Sequence, residues 1–166
     1  MPVAALLGHG FKELTDILDT HPKIKPQHLS LIGVRSFEHG EANFLRDLNV
    51  RIYYMEEVQE RGLMTVIKEA QARAKQGTAG YGVTLDLDAL DPADAPGVDV
   101  PEPNGLRGED VIDAMSYLSQ DLSLLATEIV EFDPKNDIDQ RSEKLIAQLL
   151  GCLMPQAVTV QGVTHA

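Results

Sequence analysis

Apolar and polar positions alternate between two periods along the chain, and the alternation marks out its elements. His28–Val34 (HLSLIGV) is a dense apolar run of strand length. Glu38–Leu48 follows with a helical spacing that offers Phe44, Leu45 and Leu48 to one face. Arg51–Met55 (RIYYM) reads as a second strand. The stretch from Glu57 to Lys75 predicts one long helix, with Val58, Leu63, Val66, Ile67, Ala70 and Ala74 forming its buried stripe. Gly80–Asp88 is a third strand, and Gly108–Leu118 a helix burying Val111, Ala114, Met115 and Leu118. Ala126–Phe132 is a fourth strand and Ile138–Leu150 a closing helix. Short strands separated by helices predict an α/β fold with three layers, α/β/α, around a mainly parallel sheet of at least four strands, joined by right-handed crossovers. One segment breaks the rhythm. Between Asp91 and Gly108 lie prolines at 96, 101 and 103 and glycines at 97, 105 and 108, so a loop is expected there. It follows the most acidic strand end, the place where open α/β sheets carry functional loops.

Composition narrows this picture. With 166 residues the chain is one domain or a large part of one, and 43% hydrophobic residues suffice for a core. A formal net charge of -12 leaves no basic face to neutralise phosphates, so a nucleic-acid binder is not expected. The charge either attracts a cationic substrate or is the ordinary acidity of a cytoplasmic protein. The single cysteine, Cys152, excludes an internal disulfide framework and suits a reducing compartment; its apolar neighbours favour a buried thiol over a nucleophile. The opening MPVAALLGHG has neither the basic region nor the apolar length of a secretory signal. No run reaches the roughly 20 apolar residues of a membrane helix.

The candidate chemistry lies in carboxylates. On a continuous third strand Asp86 and Asp88, two positions apart, point to one face, with Leu85 and Leu87 on the other. Two like charges at a buried strand end need a positive partner between them, and an all-oxygen donor set suits manganese or magnesium better than zinc. The alternative is that both acids cap the following loop and face water. Asp91, before Pro92, is expected to bond the loop backbone rather than a ligand. Glu131 ends the fourth strand, where it either meets a cationic group over the sheet edge or is a solvated loop acid; Glu128 falls on the other face. His9, His28 and His39 complete no site by spacing. HExxH, CxxC, a phosphate-cradling glycine loop and a nucleophile elbow are all missing from the sequence.

These residues single out a family. Thr84-Leu85-Asp86-Leu87-Asp88-Ala89-Leu90-Asp91-Pro92, followed by Ala95-Pro96-Gly97, resembles the SxDxDxxDP signature of the ureohydrolases, and of arginase in particular. Gly33-Val34-Arg35-Ser36 through Gly40-Glu41 and Glu131-Phe132-Asp133-Pro134 resemble two further family segments. The resemblance implies a partial arginase-type fold over residues 1–166, the C-terminal portion of a single ureohydrolase domain. It implies two manganese ions, with Asp86 and Asp88 as metal ligands. Glu131 would be a catalytic and substrate-binding carboxylate holding the guanidinium group, and Glu38 would stand where a shorter aspartate meets the α-amino group. The implied reaction is hydrolysis of arginine, a small cationic guanidino substrate, to ornithine and urea, in a cytoplasmic homo-oligomer without nucleic-acid or membrane partners. Met1-Pro2-Val3 resembles residues just beyond the family's proton-shuttling histidine. The chain is therefore expected to lack that histidine, an upstream metal-binding histidine and the DxHxD cluster, and to be inactive alone. Val100 and Asn104 depart from the family's PGxGTPxxGG pattern, in which a threonine and a glycine stand at those places. Agmatinase or another ureohydrolase, and a non-catalytic interaction fragment, remain alternative readings.

Overall fold

The structure, a computed structural model, describes residues 2–37 and 39–154. In chain order the elements are α1 (Pro2–Leu6), α2 (Lys12–Thr15), β1 (Ser30–Val34), α3 (His39–Asp47), β2 (Arg51–Tyr54), α4 (Met55–Arg61), α5 (Leu63–Lys75), β3 (Tyr81–Asp86), α6 (Gly108–Ser119), β4 (Leu124–Val130) and α7 (Arg141–Leu153). Every alternation expected from the hydrophobic pattern is present, and α1 and α2 are additions. The long helix foreseen over 57–75 is two. Gly62 adopts φ 81°, which favours glycine, and the axis breaks there. An ion pair from Arg61 to Glu69 (2.6 Å) spans the break, while Arg51 and Arg61 share Glu57.

Both strand pairings are parallel, as expected, but they form two separate sheets. β1 pairs with β2, with Ser30 opposite Arg51, and β3 pairs with β4, with Asp86 opposite Val130. The two pairs rest on one helix, since α5 packs against both β1 and β3. Helix α6 packs on α5 and α7, and the core they close contains Tyr53, Val66, Leu87, Leu90, Met115 and Leu149. Leu85 and Leu87 are buried as foreseen. No helix among the described residues is long and apolar enough to cross a membrane.

The segment from Asp91 to Arg107 carries no helix or strand, only an isolated bridge between Leu90 and Leu106. It is nevertheless held firmly. Asp91 accepts from the N–H groups of Ala93 (2.9 Å) and Asn104 (2.8 Å), the backbone role expected of it. Gly105 lies so close to Leu90 that a Cβ would sit 2.4 Å from its carbonyl carbon, so no larger residue fits.

Candidate metal centre

Strand β3 ends at Asp86, two residues earlier than the pattern suggested. Leu87–Ala89 winds into a single 3-10 turn, so strand alternation does not set the relation between the two aspartates. Asp86 instead caps the turn, accepting the N–H of Asp88 at 2.9 Å. Asp86 thus caps the turn, and the Asp86 and Asp88 carboxylates lie close enough together at one strand end to feel each other's charge.

Asp88 differs in kind. Its Oδ1 is buried and has no hydrogen-bond partner. Burial, and after it the charges of Asp86, Glu131 and Asp99, push its carboxyl up to about 6 against a hydrogen bond from the Val100 backbone. Glu131 therefore stands near enough to repel Asp88, as the sequence placed it, but just beyond β4 rather than on it. Its backbone is left-handed, with φ 63°, an uncommon state for a residue other than glycine that turns the chain sharply at this point.

Two links hold the loops after β3 and β4 together. Asp133 N–H donates to the Gly97 carbonyl at 2.8 Å, and Gly97 N–H donates to Ser142 Oγ at 2.7 Å. Asp137 in turn accepts the N–H groups of Ser142 (2.9 Å) and Glu143 (3.0 Å) at the start of α7. Glu128 is withdrawn from the centre by Thr84 Oγ1, which donates to it at 2.7 Å.

Sequence reasoning passed over Arg35. Its guanidinium donates to the carbonyls of Asp88 (2.8 Å), Ala89 (3.1 Å), Leu90 (3.1 Å), Glu102 (2.6 Å) and Pro103 (3.2 Å). These acceptors lie 53 to 68 residues away in the chain. The arginine fixes the backbone of the acidic turn while leaving its carboxylates free. Asp99 was also missed, and the only clue would have been its place in the loop after the DP step. Glu38 and the side chain of His39 lie outside the described residues.

The donor chemistry suits a hard cation. A desolvated carboxylate with an unmet oxygen, pressed by three other acids, is what a divalent ion would satisfy. Two ligands are not a coordination shell. Among the described residues no three His, Cys, Asp or Glu side chains come together to hold a metal ion.

An α/β protein of parallel strand pairs, with acidic side chains gathered about the ends of β3 and β4, is thus defined by fold and site. The arginase family profile matches residues 8–155, and the chain belongs to the arginase family. It is 42% identical over 153 residues to the arginase of Bacillus caldovelox, covering 92% of this chain and 51% of that protein. The native structure of that arginase at pH 5.6 superposes with a TM-score of 0.88 at 40% identity, over 95% of this chain and 53% of the other. Entamoeba histolytica arginase in complex with L-ornithine gives a TM-score of 0.84 at 27% identity, over 92% and 51% of the two chains. The chain spans about half the length of the relatives it matches.

Proposed function

We propose that residues 1–166 are the substrate-facing part of an arginase-type ureohydrolase that hydrolyses arginine to ornithine and urea with manganese, and that they are inactive alone. The observation that carries this reading is Asp88, half-buried in the turn after β3, whose buried Oδ1 has no hydrogen-bond partner and which feels the charges of Asp86, Glu131 and Asp99. A cluster so arranged stores electrostatic free energy that a divalent cation releases. The reading is supported by family membership and by relatives that are arginases, one of them in complex with L-ornithine.

Asp86 and Asp88 would hold the ions, and manganese, when bound, supplies Lewis-acid charge stabilisation and water activation near neutral pH. The remaining work belongs to the chain. Asp86 keeps the turn closed on the N–H of Asp88, so the Asp88 carboxylate is presented in one orientation. Glu131, fixed by its left-handed backbone beside the cluster, offers a carboxylate to the planar guanidinium of the substrate. Glu38 would receive the α-amino group, which separates arginine from agmatine. The acidic chain, at -12, draws a cationic substrate toward these groups. Groups that return a proton to the leaving amine would come from outside residues 1–166.

The test is urea release from arginine, agmatine and formiminoglutamate by a longer protein that joins this chain to the remaining part of the family fold. Arginine is the expected substrate. Asp86→Ala or Asp88→Ala should lower turnover by more than the roughly 10–100-fold lost when a group that merely supports a ligand is removed. Residues 1–166 alone, saturated with manganese, should release no urea. Preference for agmatine, or full activity of either alanine variant, would overturn the reading.

A further inference from the structure

Three buried polar atoms without partners lie where the β1–β2 pair meets α5. In the parallel register Ser30 is opposite Arg51 and Ile32 opposite Tyr53, so these four side chains share one face of the pair. Helix α5 packs on β1, and His28 Nδ1 lies 3.4 Å from the Arg73 carbonyl, which sets the last turn of the helix beside the start of the strand. Arg35, past the other end of β1, reaches the Asp88 carbonyl, so this region is at the opposite end of the strand from the acidic cluster. Tyr53 is fully buried, yet its hydroxyl has no hydrogen-bond partner. The Ser30 hydroxyl and Arg73 Nε are likewise buried and unpartnered. Burial pushes the Tyr53 hydroxyl above its ordinary value, Glu69 adds to this, and Arg51 and Arg73 oppose it. Glu69 and Arg73 therefore both stand close to this side chain.

The charges around it do not balance. Arg51 and Arg61 share Glu57, and Arg61 also pairs with Glu69 at 2.6 Å. Arg51 lies over the Tyr53 ring, 3.9 Å from its centroid. Glu69 precedes Arg73 by one helical turn, a spacing at which the two would pair, but it is turned to Arg61. Arg73 is the guanidinium left over, and among the described residues it makes no ion pair. A cation desolvated at its Nε and lacking a counter-ion is costly. A buried water would supply an acceptor but no charge, whereas a small anion supplies both. All three groups can donate, and all three atoms are closed to solvent, so the space they border suits an ion of one atom better than a carboxylate or a phosphate.

We propose that Ser30 Oγ, Tyr53 Oη and Arg73 Nε bind a monatomic anion of the chloride type between the β1–β2 pair and α5. The ion neutralises Arg73 and ties the last turn of α5 to the starts of two strands. The site is structural and does not depend on the reaction proposed above.

The experiment is urea unfolding of the full chain at constant pH and ionic strength, with sodium gluconate replaced stepwise by sodium chloride. The unfolding equilibrium constant should fall about 10-fold once chloride exceeds its Kd about 10-fold. Tyr53→Phe keeps the ring and removes the hydroxyl, and should raise that Kd by about 10-fold. Arg73→Met should abolish the response, and Arg46→Met, on the exposed side of α3, should leave it unchanged. Tyr53→Phe decides the point if Arg73→Met fails to fold. Crystals grown in bromide should show an anomalous peak bounded by the three named atoms. A chloride response that survives both Tyr53→Phe and Arg73→Met overturns the site, as does a solvent peak there without anomalous signal, which would be water. Bromide at the site with no effect of chloride on stability would mark an adventitious ion only and overturns it too. Acetate stabilising the chain more than chloride, through the same residues, would replace the halide with a carboxylate and overturn the assignment.

Discussion

At the start of β3, Asp121 sits among donors. Lys75 Nζ (2.8 Å), Gln71 Nε2 (2.7 Å) and Tyr81 Oη (3.2 Å) converge on its Oδ2, and the Ser123 N–H reaches Oδ1 at 3.0 Å. The Lys75 ammonium holds its carboxyl down at about 2, aided by the Ser123 backbone. At the other end of the same strand Asp88 is held up at about 6 by burial and by Asp86, Glu131 and Asp99. The first carboxylate is satisfied by its own chain. The second gathers like charge and leaves an oxygen unmet. Both ends carry acids, so the end proposed as the site is distinguished by uncompensated charge rather than by acid content.

The unsatisfied end still has to hold its shape, and it does so through carbonyls. Arg35 brings positive charge to five backbone oxygens around Asp88 and neutralises none of the carboxylates through a side-chain contact. Arg35→Met should therefore have the largest effect on stability, a loss of about 2–4 kcal/mol, because it removes charge-assisted hydrogen bonds and strands their acceptors. Arg35→Lys should recover only part of this, since an ammonium cannot reproduce the planar fork. Denaturant midpoints measure the loss. Exchange of amides near Asp121 should follow only global unfolding, whereas those at 88–90 and 102–104 open more readily. A loss below about 0.5 kcal/mol would mean that the loop is held by other means.

The contrast between the two ends was only partly legible in the sequence. The strands and helices were, because Leu85 in β3, and Val111, Ala114, Met115 and Leu118 in α6, carry burial in their periodicity. The Asp86-Leu87-Asp88 pattern and Glu131 were legible as acids at strand ends. What escaped depends on distant parts of the chain. Nothing local tells that the acceptors of Arg35 lie at 88–90 and 102–103, or that Asp99 approaches Asp88. The division into β1–β2 and β3–β4 was hidden for the same reason, since each strand looks complete without its neighbour. The helix break at Gly62 was visible as a glycine but masked by an apolar stripe that continues across it. The 3-10 turn at Leu87 was masked by an alternation that suits a longer strand.

Asp88→Asn sharpens the comparison at intermediate size. In the folded chain the carboxyl titrates at about 6 and when unfolded near its ordinary value of 3.8, so the folded state binds the proton more tightly. Stability therefore falls as pH rises from about 4 to 6, and the full penalty is present above 6. The difference corresponds to about 3 kcal/mol, which solvent reaching the carboxylate reduces to about 1–2 kcal/mol. Without added metal, Asp88→Asn should stabilise the chain by that amount at pH 7.5 and by little at pH 4. Urea midpoints at both pH values provide the measurement. Equal effects at the two pH values would show that Asp88 is not destabilised by its charge.

Asp121→Asn should give the smallest effect and the opposite sign. The Asp121 carboxyl is held below its ordinary value, so its contribution is complete above about 4 and disappears as pH falls toward about 2. The amide retains an oxygen for Tyr81 or the Ser123 N–H but loses its attraction for Lys75. At pH 7 the variant should be less stable than the parent, by less than Asp88→Asn gains, because the ion pair lies where water and salt screen it. High salt should weaken the parent toward the variant, and the two urea midpoints should draw together as pH falls through about 2. A deficit that persists below pH 2 and in high salt would trace to packing of Gln71, Tyr81 and Asp121 rather than to charge. The start of β3 would then be neutral scaffold, and the opposition of satisfied and unsatisfied charge along the strand would be lost.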